Sequence, residues 1–413
     1  MTKKHNRKLM LYLTGRKIFR HGLCDFLIIW IVASALSFAD LSFLDPTRLI
    51  DNFTGSHNRF TTKTFYEIKN YGYEGDSEPS QIFALVDIKD LTSRAKIAAL
   101  IDSVYALEPQ RIAVDIMFQI PQDSLADLSL IKTVRRVRDI TTFACMLNNY
   151  QEETQSFGNI QHSFFLNPEN EKWFCDSVTE GYVNMKNDGT NETIWLYSLV
   201  EQAGKRRIYS LPATLLEDYP NEKPHTEHII NYDKLQIPIY SPDNITRENI
   251  EGKFVIIGAF EYSGDKFDTP LGLIPGMMIH TYIMQSQNTD PIVEEPATDN
   301  IVRTLIVLML FIVLLIIFDA LTEFVSNSYL SLFLKGGFFT IFMTISAIYL
   351  LMYYYYRLFA VEGIFSDGHA AINGILIASA LVKTFYATTI AVLHSHNKLL
   401  WLTRCSLYGQ FKQ

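Results

Sequence analysis

The sequence has no G-x-S-x-G elbow, no H-E-x-x-H, no P-loop and no G-x-G-x-x-G. Serine acyl transfer, zinc-assisted hydrolysis and the cradling of phosphates or dinucleotides therefore have no visible seat. No enzymatic activity and no cofactor are expected. Cysteine is scarce, with four in 413 residues, too few for a disulfide scaffold. Cys145 and Cys175 fall in the long polar middle of the chain, where a bridge is open in an oxidising compartment. The apolar run around Cys145 equally suits a buried free thiol. No folded segment carries clustered Lys and Arg, so nothing marks a nucleic-acid partner, and the net charge is −8.

What the chain does have is long hydrophobic runs, one before the polar middle and three after it. Residues 26–39 carry no charge and continue through 44, and 301–318 is interrupted only by Arg303. The stretch 336–356 is uncharged, and 370–393 contains only Lys383. Each is near the ~20 residues that cross a bilayer as a helix. The reading is four transmembrane helices, at 26–44, 301–320, 332–356 and 370–393, with a basic N-terminus at 1–25 and a tail at 394–413. Between them, 45–300 forms a large domain on one side. Lys3, Lys4, Arg7, Lys8, Arg16, Lys17 and Arg20 precede the first acid, Asp25. Positive flanks stay cytoplasmic, so both termini are expected inside and the domain outside, in the periplasm of a bacterial inner membrane. A cleaved signal peptide is the alternative for the first run, because Ala33-Ser-Ala35 and Ser37-Phe-Ala39 have the small-residue pattern of cleavage sites.

The outer domain reads as α/β, with a mostly parallel sheet in a three-layer arrangement. Residues 82–88, 112–118 and 140–147 are short apolar runs expected as buried strands, and 254–260 is a fourth. Ile97, Leu100, Ile101, Val104 and Leu107 recur at helical spacing over 94–107, which Pro109 closes, and 125–137 is a second amphipathic helix. Strand–helix–strand alternation predicts a parallel sheet. Beyond it, 182–185, 194–200 and 229–232 are expected as strands, 211–219 as a helix, and a helix starts near 278. Residues 56–80 suit a connecting arm.

These segments together resemble the second type of CHASE domain, the sensory extracellular module associated with cyclases and histidine kinases. The likeness is carried by VDIKDL at 86–91, EPQRIAVDIMF at 108–118, GYVN at 181–184 with Asp188-Gly189, and YSLP at 209–212. Its closest part is INY at 230–232, GKFVIIGA at 252–259, GDKFDTPL at 264–271, IPG at 274–276 and Ile279-His280. The resemblance implies a sensory module followed directly by three transmembrane helices. Family members often continue into an output domain, whereas 394–413 is too short to fold into one. The expectation is a sensor that binds a small molecule or protein outside the cytoplasm and signals to a membrane or cytoplasmic effector, with a homodimer open. The alternative is a structural or assembly subunit that uses the outer domain for docking.

In open α/β sheets ligands bind beyond the carboxyl ends of the strands. Asp87 and Asp115 end two apolar runs, Asp265 and Asp268 follow a third, and His280 lies on the next helix. If these converge, they form a rim able to hold a hydrated cation or a cationic ligand; a metal stays undecided. The plainer alternative is that each carboxylate caps a turn or helix locally. Lys383 is the charge deepest in a span, with Asp319 as a partner near the same leaflet, and snorkelling to the headgroups is its plain alternative.

Overall fold

The computed structural model describes residues 29–34, 66 and 80–382, except 89–90, 92, 123, 168–170, 186–192, 234, 261–262, 323–336, 367 and 369. Two compact units divide the chain, one formed by Asn58–Val293 and the other by the segments on either side of it.

In the first unit, four buried parallel strands lie where the apolar runs predict them. They are β1 (Phe83–Asp87), β2 (Arg111–Asp115), the start of β3 (Thr141–Gln151) and β11 (Phe254–Gly258). Their sheet runs β10-β1-β11-β2-β3-β4-β7-β8, with β5 (Thr179–Tyr182) also beside β3. Here β10 is Ile239–Tyr240, β4 is Ser156–Gln161, β7 is Val200–Ala203 and β8 is Arg206–Tyr209. The sheet is mixed: β10, β1, β11, β2 and β3 pair in parallel, while β3/β4 and β7/β8 are antiparallel.

Side chains alternate between the two faces of each strand. Ala84, Val86, Ile112, Val114, Val255 and Ile257 face one way, into a core shared with helices α1 (Arg94–Ala106) and α2 (Ser124–Val137). Leu85, Ala113 and Ile256 are equally buried on the other face, against α3 (Leu211–Leu216) and α5 (Gly276–Asn288). A sheet between two helical layers is the expected three-layer arrangement. A short α4 (Arg247–Ile250) leads into β11. Cys145 and Cys175 are both free and buried, in separate apolar clusters. Of the arm at 56–80, Tyr66 is described: its hydroxyl donates to Ile230 O at 2.8 Å, and its ring meets Tyr232 edge-on.

One buried ion pair braces the loop after β2. Arg94 donates to Asp127 Oδ1 at 2.5 Å and to the carbonyl of Ile120 at 2.5 Å, and its guanidinium lies over the rings of Phe118 and Phe164. Asp127 Oδ2 accepts the N–H of Gln122 at 2.8 Å.

The second unit contains α6 (Ala297–Thr322) and α7 (Gly337–Arg357). Two stretches, Ala297–Leu315 and Phe339–Glu362, are long and apolar enough to cross a membrane, and Ala370–Val382 is a shorter apolar helix. Ile306, Leu310, Leu314, Ile341, Phe342 and Ile345 are exposed along α6 and α7, the reverse of a water-facing helix, whose outer side is polar. Arg303, the charge near the start of the first long run, is paired with Glu295 at 2.7 Å and stacks on Tyr354. Residues 29–34 are helical, and Trp30 Nε1–H donates to Leu305 O at 3.2 Å. Most of the expected first span, Lys383 and the tail lie outside the described residues, as does the Asp319 side chain.

Candidate functional site

The two Val-Asp-Ile triplets end two strands of one sheet, β1 and β2, that flank β11. In register, Asp87 on β1 stands opposite Gly258 on β11, and Gly258 opposite Asp115 on β2. Two strand spacings put the Asp87 and Asp115 backbones about 10 Å apart, with both side chains on the face that α5 covers. Gly258 lies between them. A Cβ there would sit 3.4 Å from Asp115 Cβ and 3.6 Å from Met277 Cβ, ordinary packing distances, so the first turn of α5 lies directly against the strand end. Asp87 is buried and committed, because its Oδ1 accepts the N–H of Phe260 at 3.0 Å. That bond is the local capping role weighed from the sequence.

Among the described residues, Asp115 and Asp265 have no such bond. Burial pushes the Asp115 carboxyl up to about 7. Asp265 lies in the turn before β12 (Lys266–Thr269), which pairs with β13 (Gly272–Pro275) as a hairpin. Its two oxygens would be 3.1 and 3.3 Å from a Cβ on Gly276, the first residue of α5. Burial, and then the charge of Asp115, push Asp265 up to about 7 as well. The free N–H groups at the start of α5 favour an anion there; burial outweighs them.

His280 on α5 is 3% exposed, and its Nε2 is 3.9 Å from Asp115 Oδ2. At that separation there is no hydrogen bond. Burial depresses the imidazole to about 3 while it raises Asp115. Near neutral pH the contact therefore involves a neutral ring and not a salt bridge. His280 Nδ1 is buried with no hydrogen-bond partner.

Of the five residues singled out from the sequence, Asp115, Asp265 and His280 meet under the first turns of α5, and Asp87 shares their register. Asp268 follows Phe267 on β12. The Phe267 ring abuts Gly276, so strand alternation turns Asp268 to the opposite face of the hairpin, where its carbonyl accepts the N–H of Ile194 at 2.7 Å. Among the described residues, no group of three or more His, Cys, Asp or Glu is arranged to hold a metal ion.

The sequence reading missed Gly276, although Pro-Gly before a helix was a signal of close approach. It also left the histidines scattered. Three of them pair with glutamates: His162 with Glu180 and His228 with Glu222, both at 2.8 Å, and His225 with Glu201. The hydrogen bond that His162 donates to Glu180 raises the imidazole above its ordinary value.

No curated protein and no solved structure matches the chain. A family model described as the CHASE2 domain matches residues 80–318, more than half of the 413. The match begins just before β1, takes in every rim residue above and runs into α6. The chain belongs to the CHASE2 domain family, whose members are extracellular sensory domains.

Proposed function

We propose that this protein is a membrane-anchored sensor that reads a signal outside the cytoplasm at the Asp115–Asp265–His280 rim. It relays that signal through its transmembrane helices to a separate effector protein. The observation that carries the reading is the position of the rim. Two partly buried carboxyls and a buried imidazole, whose Nδ1 has no hydrogen-bond partner, lie against α5, and only residues 289–296 separate α5 from α6. Buried polar groups in a protein are normally satisfied. Groups left unsatisfied, with strongly displaced pKa values, mark functional sites more often than structural ones. A ligand moves a two-state equilibrium only through its different affinity for the two states, and a rim on α5 gives it leverage on the chain that enters α6.

The anchor consists of four helices, with both termini cytoplasmic and the α/β domain periplasmic. The exposed apolar faces of α6 and α7 and the seven basic residues before Asp25 support this topology. In this reading the protein acts by binding and not by catalysis, in keeping with its family of sensory domains.

Two experiments test the reading. Protease added to right-side-out vesicles is expected to remove the α/β domain and leave both termini protected; a C-terminus cut from outside contradicts the topology. Asp115→Asn and Asp265→Asn in the full chain are expected to change amide exchange within 289–296 as well as in α5. Exchange at 289–296 that ignores both substitutions contradicts the relay.

A further inference from the structure

We propose that Glu295 and Arg303 form a latch that ties the chain entering α6 to α7 and to the loop after α7, so that a displacement of residue 295 moves both helices together. The inference deepens the relay reading and rests on α6 and α7 being membrane helices. It uses none of the rim residues.

Glu295 is the last charged residue before α6, and it is held twice. It is 9% exposed, with a carboxylate oxygen 2.7 Å from Arg303 Nη2 on α6. Its backbone N–H donates to Phe365 O, in the loop after α7, at 2.8 Å. Arg303 also reaches α7, because its guanidinium lies over the Tyr354 ring, 5.3 Å from the centroid. A guanidinium has donors at its edge and a flat face, so one group serves both contacts. Asp299 stands four residues before Arg303 and is exposed, which is the spacing of a surface ion pair. Among the described residues, Arg303 pairs with the buried Glu295 instead.

Charges at membrane helices are costly and pair with one another. Removing one member of a buried pair leaves the other uncompensated, so Glu295 and Arg303 stay together and draw their elements along. Both partners keep buried atoms without a hydrogen bond, Glu295 Oε2 and Arg303 Nη1. The latched state is therefore held by charge and bears a desolvation cost, a balance that suits an element able to open and close.

The loop is built to meet the latch. α7 runs on into a π-helical turn, Leu358–Glu362, and Gly363 at φ 65 redirects the chain towards Phe365. Gly368 then brings the loop against α7, where a Cβ would be 2.7 Å from the Tyr355 ring. Gly374, on the helix Ala370–Val382, does the same against α6, where a Cβ would be 2.5 Å from Leu308. Packing this close transmits a displacement instead of absorbing it.

A double-mutant cycle read by hydrogen exchange on the full chain in lipid nanodiscs tests this. Glu295→Gln and Arg303→Gln are each expected to speed exchange of 358–366 about tenfold or more. The double variant is expected to go no further than either single, as residues acting as one pair do. Single effects that add, or effects that leave 358–366 unchanged, overturn the latch. If Arg303→Gln fails to insert, Glu295→Gln with Tyr354→Leu closes a second cycle under the same criterion. Coupling in the cycle, with exchange at 289–296 indifferent to Asp115→Asn, upholds the latch and sinks the relay from the rim. An uncoupled cycle, with 289–296 still answering Asp115→Asn, overturns the latch and leaves a relay through α6 alone.

Discussion

Two sets of ionisable groups, one buried and one partly buried, lie beyond the carboxyl end of β2, on opposite faces of the same sheet, and they are built in opposite ways. On the α1–α2 face, Arg94 and Asp127 satisfy each other, the Ile120 carbonyl and the Gln122 N–H, with two aromatic rings over the guanidinium. On the α5 face, among the described residues, no Lys or Arg forms an ion pair with Asp115 or Asp265, and His280 leaves an imidazole nitrogen orphaned. Both sets bear the cost of burying polar groups, but the first recovers most of it in hydrogen bonds. A satisfied buried pair holds a loop in place. An unsatisfied cluster stores free energy that a change of protonation or ligand releases, and that is what a sensor requires.

The comparison sharpens most where the satisfied pair is broken. Arg94→Ala leaves Asp127 buried without its partner and should cost about 3–5 kcal/mol, read as a lowered midpoint in denaturant. A cost near zero would make this pair no better satisfied than the rim.

The rim should respond with the opposite sign. A carboxyl raised from 3.8 to about 7 by burial gives stability that is complete below its unfolded value and lost as pH rises through about 7. Asp115→Asn should therefore stabilise the domain at about pH 8 by on the order of 1–4 kcal/mol, with a gain that shrinks as pH falls and little effect at about pH 3. Thermal melts at both pH values check this. If the variant fails to fold at either pH, Asp115 is structural.

His280 runs the other way. Its depressed value means stability that is complete above 6.5 and lost as pH falls towards about 3. His280→Leu should flatten the acid limb of the melting profile and, by removing the orphaned Nδ1, gain about 1 kcal/mol at neutral pH. Between about pH 4 and 6.5 the histidine and the carboxyls offset each other, so the variant should expose a decline the wild type hides.

Smallest of all, Arg247→Ala removes the fully exposed contacts to Glu108 and Glu251, and no measurable change in melting temperature is expected from groups so well solvated.

Much of this architecture is visible in the sequence because burial leaves a pattern. β1, β2 and β11 are short apolar runs, α1 carries its core residues at helical spacing, and the Val-Asp-Ile triplets do end equivalent strands. The strand order is not visible. β11 comes more than a hundred residues after β2 and still inserts between β1 and β2, a choice made by long-range packing without a local signal. The antiparallel ribbon of β7 and β8, and the two-residue strands β6 (Leu196–Tyr197) and β9 (His228–Ile229), are defined by backbone pairing too short to imprint a period. At the site, Asp115, Asp265 and His280 were legible as acids and a base near strand ends. The sequence could not separate Asp265 from Asp268, because one residue of strand register decides which face a side chain takes.

The central claim is that the rim is coupled to the chain that enters α6. Amide hydrogen exchange within 289–296 of the full chain measures it directly. The account predicts that Asp115→Asn and Asp265→Asn each change exchange there as well as in α5. Exchange within 289–296 that ignores both substitutions would contradict the account.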